Sequence, residues 1–468
     1  MKGGGTSWFA TTWVKARTCV AADPSWAFFL LFAFSSMVSL PVARASMLLS
    51  LAFSLASPSV RRRFRLTPPG LGWLAYFVLA VAVSGAMAVA NTDWGVAHGL
   101  MPAVDPYIEP ARGFRKLPKL LWFLAIPLAA VQVRDSGRFK AVLKAWIAGG
   151  AVLALVILVF HPPIAWLQVH VHGGPAWFDR WLSDPTWARW GGRPPSFQLA
   201  FSSLGTMRDA QRLMIALIAT SCALVSGERG TGKWLWGLAA LLAFSLVLTC
   251  KRGPLLVGVA VVFSILAVRV KWWRILVLAL VVAIVAFAVP QSRFRLLMLR
   301  NEVSFNDQEI VRRGGRLMMW THIVPKLHGE YPRGLGFRSL TAIKMHNADW
   351  HVEKNRTHVH SVPLQAFVDF GWAGPAIWLF WMVLSFRCAV RVKRHGRSIG
   401  LARGESLLPL ASLAALVAFG FVEYNIADAA VVPLYALSMG LACLGVCADG
   451  PQGLTPAFPS HEQTEGPK

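Results

Sequence analysis

Long uninterrupted runs of apolar residues alternate with short basic stretches and with longer segments rich in tryptophan, proline and histidine. The runs lie near residues 26–43, 45–60, 70–90, 118–133, 142–160, 209–226, 234–250, 254–269, 274–290, 361–386, 407–423 and 430–448. Each approaches the ~20 apolar residues that a helix needs to cross a bilayer core. Backbone groups in lipid must be bonded inside a helix or a closed barrel, and a barrel strand would alternate apolar and polar residues at every second position. The runs here are continuous, as in "LALVVAIVAFAVP" at 278–290. The pattern predicts an all-α integral membrane protein with about twelve transmembrane helices, one polytopic unit over residues 1–468.

The polar segments set its orientation. With the N-terminus inside, "RRRFR" (61–65), "RDSGRFK" (134–140), "GERGTGK" (227–233), "RVKWWR" (269–274) and "RCAVRVKRHGRSIGLAR" (387–403) all fall on the inner side, as the positive-inside rule requires. Lys2, Lys15 and Arg17 precede the first run without a short apolar core and small-residue cleavage site, so that run reads as a retained signal anchor. Three long segments then face outward: about 91–117, 161–208 and 291–360. Loops much longer than about 15 residues are usually functional. The 161–208 loop intersperses Trp, Phe and Pro among charges, which suits the membrane interface. In the 291–360 loop, apolar residues recur at helical spacing through "EIVRRGGRLMMWTHIVPKLHGE" until "YPRGLGF" breaks the pattern, predicting an amphipathic helix followed by a glycine turn. The polar tail 449–468 reads as disordered and cytoplasmic by composition.

Composition agrees with a membrane protein: 55% hydrophobic and 15% charged over 468 residues, with a mean hydropathy of +0.51. The net charge of +25 would point to nucleic acid in a soluble protein, but most Lys and Arg lie in the short inner loops, where they set topology. No nucleic-acid partner is expected. The basic excess left on the outer side implies an anionic ligand there. The six cysteines show neither a disulfide framework nor zinc-finger spacing.

Ten of the twelve histidines fall on the outer side: His98, His161, His170, His172, His322, His328, His346, His351, His358 and His360. "HVH" occurs at 170–172 and at 358–360, but neither copy is joined by Cys or by a His-Glu helical motif. No metal and no cofactor is expected. No two aspartates are spaced i, i+2, so the Asp-x-Asp metal pair of many nucleotide-sugar transferases is absent.

One stretch has an internal grammar. In "HSVPLQAFVDFGWAG", His360 and Ser361 are followed by nine residues, then Gly371, two residues and Gly374. This resembles the signature of the O-antigen ligase family, in which His and a small polar residue open a transmembrane helix and Gly-x-x-Gly closes the motif. Upstream, Arg316, Trp320, Pro332, Gly334, Gly336 and Phe337 resemble the outer-loop pattern of that family, and Arg252-Gly253 resembles its Arg-Gly pair between two helices. "SSLGTMRDAQRLMIALIA" occupies the place of a helix entrance with an essential arginine nearby, and either Arg193 or Arg208 matches it. The resemblance spans about 190–375, and departs from the family where "LTCK" replaces a serine-rich approach to the Arg-Gly pair.

The resemblance implies a GT-C-like glycosyltransferase of the bacterial inner membrane with its active site facing the periplasm. It would move an undecaprenyl-pyrophosphate-linked glycan onto lipid A-core among membrane lipids. In that setting His360 becomes the candidate general base, with a helix-start hydrogen bond as its alternative and Ser361 as a possible N-cap. Arg252 becomes a pyrophosphate clamp, or else an interfacial arginine on lipid headgroups. Arg208 and Arg212, spaced i, i+4 on one helix face, are a second phosphate contact or a headgroup anchor; Arg193, Arg316 and His358 complete the substrate-binding set. Asp369 reads as a packing or polar contact inside the bundle. With one base and no evident carboxylate nucleophile, a metal-independent, inverting single displacement is the expected chemistry. O-antigen polymerases and protein O-oligosaccharyltransferases would share this site. A transporter or lipid flippase is the reading from another class, and its charged or broken midplane helices are not evident.

Overall fold

The computed structural model describes residues 23–64, 67–90, 115–171, 206–227, 232–249, 251–288, 316–338, 358–426 and 428–444. Among the described residues every regular element is helical. Short turns at Pro58–Arg61 and Glu405–Leu407 aside, in chain order they are α1 (Pro24–Val38), α2 (Leu40–Ala56), α3 (Pro68–Ala90), a 3₁₀ stretch (Leu117–Leu124) running into α4 (Ala125–Gln132), α5 (Ser136–Val171), α6 (Thr206–Ser226), α7 (Gly232–Leu248), α8 (Arg252–Leu266) and α9 (Trp272–Ala288). After them come a turn at Arg316–Met318 that passes through a π-helical turn (Met319–Ile323) into α10 (Val324–Glu330), then α11 (Val362–Phe370), α12 (Ala373–His395), α13 (Leu408–Gly420) and α14 (Val432–Ala442). A helix therefore stands at every apolar run. Pro68–Ala90, Ser136–Val159, Met207–Ser226 and Ala373–His395 are long and apolar enough to cross a membrane; others, such as α8 and α14, are shorter than the ~20 residues a full crossing takes. The fold is that of a helical membrane protein.

α6 is the axial element. Residues Leu213 to Ala219 are all buried, and α5, α7, α8 and α13 pack around the helix. Elsewhere in the bundle, α1, α2 and α4 are fastened by buried polar contacts: the Ser50 hydroxyl donates to the Ser25 carbonyl at 2.8 Å, and the Gln132 amide to the Ser54 hydroxyl at 2.8 Å. Small hydroxylated residues allow such close helix approach in a setting where water does not compete.

Three predicted boundaries move. α5 continues to Val171, about eleven residues into the expected outer loop, because a hydropathy limit set at "HPP" does not stop the backbone ladder. α12 continues through Lys393, Arg394 and His395, where cations complement the helix C-terminal dipole. The predicted span 361–386 is two helices. Gly371 breaks it with φ 59° and ψ −152°, a backbone conformation open only to glycine. The "YPRGLGF" turn seats against that break: Leu335 N–H donates to the Val368 carbonyl at 3.0 Å and Gly336 N–H to the Asp369 carbonyl at 2.9 Å. A Cβ on Gly371 would collide with the Pro332 carbonyl, and one on Gly334 (φ 90°) with the Asp369–Phe370 peptide.

Candidate functional site

The site forms where the starts of α6, α8 and α11 meet the loop between α13 and α14. That loop is held by Asn425, whose amide donates to the Leu416 carbonyl (3.2 Å) and to Gln211 of α6 (3.3 Å), and whose side-chain oxygen accepts from the Tyr435 hydroxyl at 2.9 Å. These bonds tie the loop to α6, α13 and α14, so its polar residues are presented from a fixed base.

Glu423 is the hub. Its Oε1 lies 3.0 Å from His360 Nδ1 and 3.1 Å from His358 Nε2, and its Oε2 accepts from the Arg316 guanidinium at 2.8 Å. The two imidazoles lean together with ring centroids 4.4 Å apart, and His358 also faces the Tyr424 ring at 5.7 Å. Burial works to raise the Glu423 carboxyl, but the hydrogen bonds with His358 and His360 and the charges of His360 and Arg316 outweigh it and hold the group well below the usual carboxylate range. His358 is pushed below the ordinary histidine value by burial first, against its bond with Glu423. In the neutral form of the His360 ring, a proton on Nδ1 facing the ionised Glu423 leaves Nε2 as the unprotonated nitrogen. A carboxylate that orients an imidazole through Nδ1 is the arrangement by which a general base is kept in its working tautomer.

The loop carrying both histidines is anchored at the residue between them. Val359 N–H donates to Gln365 Oε1 at 2.9 Å, and the Val359 carbonyl accepts from Trp320 Nε1 at 2.7 Å. Gln365 in turn donates to Asp369 Oδ1 at 2.7 Å, and Asp369 Oδ2 accepts from Arg338 N–H at 3.0 Å. Asp369 is fully buried, a polar contact that joins α11 to the glycine turn. Both imidazoles are thereby supported from below. His360 has φ 55°, uncommon for a residue with a side chain and characteristic of functional sites. Ser361 occupies the N-cap position of α11 with extended backbone, but its hydroxyl makes no capping bond.

Further cations lie on the adjoining elements. Arg208, on the first turn of α6, pairs with Asp428 at 2.9 Å and is 43% exposed. Arg212, one turn deeper, is fully buried; it donates to the Ala430 carbonyl at 3.4 Å, and its Nε and Nη1 have no hydrogen-bond partner among the described residues. It lies beneath Arg208, out of direct reach of solvent. Arg252 begins α8, with neighbouring Gly253 closed against the Phe419 ring in the last turn of α13. Arg193 lies outside the described residues. Two further cations join the cluster: Arg338, stacked over the Tyr424 ring at 5.5 Å, and Lys119, which feels the charges of Arg338, Arg208 and Asp428.

A family model described as O-antigen ligase matches residues 237–379. The match is a likeness over less than a third of the chain. No curated protein matches the chain. The matched segment holds Arg252, Arg316, Trp320, the glycine turn and the His360 signature. It ends before the α13–α14 loop, so Glu423 and Asp428 lie beyond it, as do Arg208 and Arg212 on the other side. Sequence reading singled out the signature histidine but missed Glu423, which looked like an isolated acid at a span end. Its only trace was an acidic residue in the polar "EYN" stretch between two apolar runs.

Proposed function

We propose that the chain is an O-antigen ligase, transferring an undecaprenyl-pyrophosphate-linked glycan to lipid A-core at the periplasmic face of the bacterial inner membrane. The observation that carries this reading is the His360–Glu423 pair, ringed by arginines where several helices end. An acceptor hydroxyl oxygen attacks the anomeric carbon of the donor sugar while His360 Nε2 takes the hydroxyl proton. The bond from that carbon to the phosphate oxygen breaks, and the electron pair leaves on undecaprenyl pyrophosphate. Glu423 stabilises the imidazolium formed at His360. Arg252 and Arg208, with Arg338 and Lys119 nearby and Arg193 from the preceding loop, receive the pyrophosphate charge, since planar guanidinium pairs bidentately with phosphate oxygens.

Arg316 and His358 act through Glu423 rather than on substrate, and Arg212 holds the Ala430 carbonyl of the α13–α14 loop. One base, with the Glu423 carboxylate engaged by His358, His360 and Arg316, favours a single inverting displacement, and arginines in place of an Asp-x-Asp pair favour metal-independent transfer. A helix end also suits the substrates, because their lipid tails stay in the bilayer while the reacting sugars sit above it.

The test is transfer by purified protein in liposomes, with undecaprenyl-pyrophosphate glycan and lipid A-core, EDTA present. Wild type is expected to transfer, with rates falling about 10² to 10⁴-fold in His360→Ala, the usual worth of a general base, and strongly in Arg252→Ala. Glycan added to another glycan, or to a protein hydroxyl, would reassign the acceptor to the polymerase or oligosaccharyltransferase type. Donor lipid moved between leaflets without glycan transfer would overturn the enzyme reading. A product with retained anomeric configuration would overturn the single displacement.

A further inference from the structure

His358, His360 and Glu423 each offer one ligand atom within 4.8 Å of the others, and Glu423 Oε1 faces His358 Nε2 and His360 Nδ1. We propose that these three atoms form a binding site for a borderline divalent cation such as Zn²⁺, and that the bound ion switches off the base at His360; the second half rests on the transferase reading.

The geometry is close to what such an ion asks for. Zinc sites with one open position take three protein ligands at ~2.0–2.2 Å, so their ligand atoms stand roughly 3.4 Å apart in a tetrahedral arrangement. Glu423 Oε1 already lies 3.0 Å from one histidine nitrogen and 3.1 Å from the other, and a small outward rotation of the rings admits the ion. The ligands are also supported from behind. Trp320 and Gln365 pin Val359 between the two histidines, and outer contacts of this sort fix ligand orientation; Arg316 occupies the other Glu423 oxygen, which leaves Oε1 facing the rings. The histidine side chains are 22% and 28% exposed, so an ion can enter from solution.

Two imidazoles and one carboxylate suit Zn²⁺, Co²⁺, Ni²⁺ or Cu²⁺, whereas Mg²⁺ and Ca²⁺ prefer all-oxygen sites. The neighbouring Arg316 and Arg338 charges oppose any cation, which makes this a site filled by excess metal rather than a permanent cofactor site.

The consequence for His360 follows from its two nitrogens. With Nδ1 bonded to the ion, the ring proton must sit on Nε2, so the nitrogen that would accept the acceptor proton becomes a donor. His358 likewise moves its proton to Nδ1. Each ring remains neutral and no proton is released in net.

The test uses the full-length purified chain without substrate, following the visible absorption of bound Co²⁺, with Zn²⁺ competition. Wild type is expected to bind one Co²⁺ saturably, to release it to Zn²⁺ and to ignore Mg²⁺. His358→Gln should weaken binding roughly tenfold or more. Arg316→Gln should tighten it, because an opposing charge is removed, and misfolding would not produce that sign. Absence of saturable binding in wild type, equal binding by His358→Gln, or weaker binding by Arg316→Gln would each overturn the site. In the transfer assay Zn²⁺ should inhibit and EDTA restore; transfer unchanged at saturating Zn²⁺ would overturn the switch. Saturable Co²⁺ binding by a chain that transfers nothing would leave the ion site standing and defeat the functional reading.

Discussion

At the scale of single residues, one carboxylate decides the chemistry of two histidines. Glu423 can orient His360 only while it is ionised, and it is ionised because two imidazoles and a guanidinium converge on it. Replacing it with Gln keeps the shape and removes the charge. Glu423→Gln should lower the transfer rate roughly 10- to 100-fold, as loss of an orienting partner commonly does, and move the acid limb of the pH–rate profile to lower pH; an unchanged profile would remove Glu423 from the mechanism. Stability has its own pH dependence. A carboxyl held down in the fold adds stability above its ordinary range and loses it as pH falls toward the depressed value. His358, pushed down by burial, stays neutral in the fold while the unfolded chain takes up the proton below ~6.5, which again destabilises on the acid side. The unfolding temperature in detergent should therefore hold near neutral pH and fall below about 6.5, and His358→Gln should flatten the first part of that fall.

At the scale of elements, the glycines of the signature do mechanical work at a distance from the reacting atoms. Gly371 breaks the predicted helix in two, and Gly334 lets the preceding turn lie flat on the break. The resulting contact fixes Asp369, which fixes Gln365, which fixes Val359 and the histidines beside it. Gly371→Ala should cost about 1–3 kcal/mol from backbone strain alone, more with the Pro332 collision, and show as a lower unfolding temperature together with lost transfer. Trp320→Phe removes one part-buried hydrogen bond, worth about 1 kcal/mol in stability. Its larger expected effect is a drop in kcat at nearly unchanged KM, since the Val359 carbonyl would no longer hold the histidine loop. A KM change alone would assign Trp320 to substrate binding instead.

For the whole molecule, the arginine-rich C-terminal end of α12 and the histidine cluster at the start of α11 are expected to face opposite sides of the membrane. The basic 387–403 stretch falls inside by the positive-inside rule, which puts the histidines outside. Thr321→Cys and Arg394→Cys, both at exposed positions, would test this in cells. With Cys19, Cys250 and Cys447, which lie outside the described residues, replaced by Ser, the first should react with an impermeant maleimide once the outer membrane is opened, and the second only after the inner membrane is breached; Cys222, Cys388 and Cys443 are buried and should contribute little background. The reverse pattern would place the site in the cytoplasm and exclude periplasmic transfer.

The sequence by itself determined where the helices lie, because an apolar run in lipid has few other ways to satisfy its backbone. It also put His360, Ser361 and the two glycines in one short stretch, and that stretch carries the family resemblance. Only the tertiary structure decided what His360 touches. Glu423 is 63 residues away in sequence and Arg316 is 107 residues from that glutamate, and no local period or spacing encodes such a meeting. The break at Gly371 was hidden for a related reason: hydropathy runs smoothly across it, and the positive φ is forced by the turn packed against it. Arg208 and Arg212 looked equivalent on one helix face, yet depth along α6 separates them, one reaching Asp428 at the surface and the other buried against Ala430. Apolar periodicity reports what a helix can bury, whereas a site is made where polar residues from distant segments offset one another's burial, and that is settled only when the helices pack.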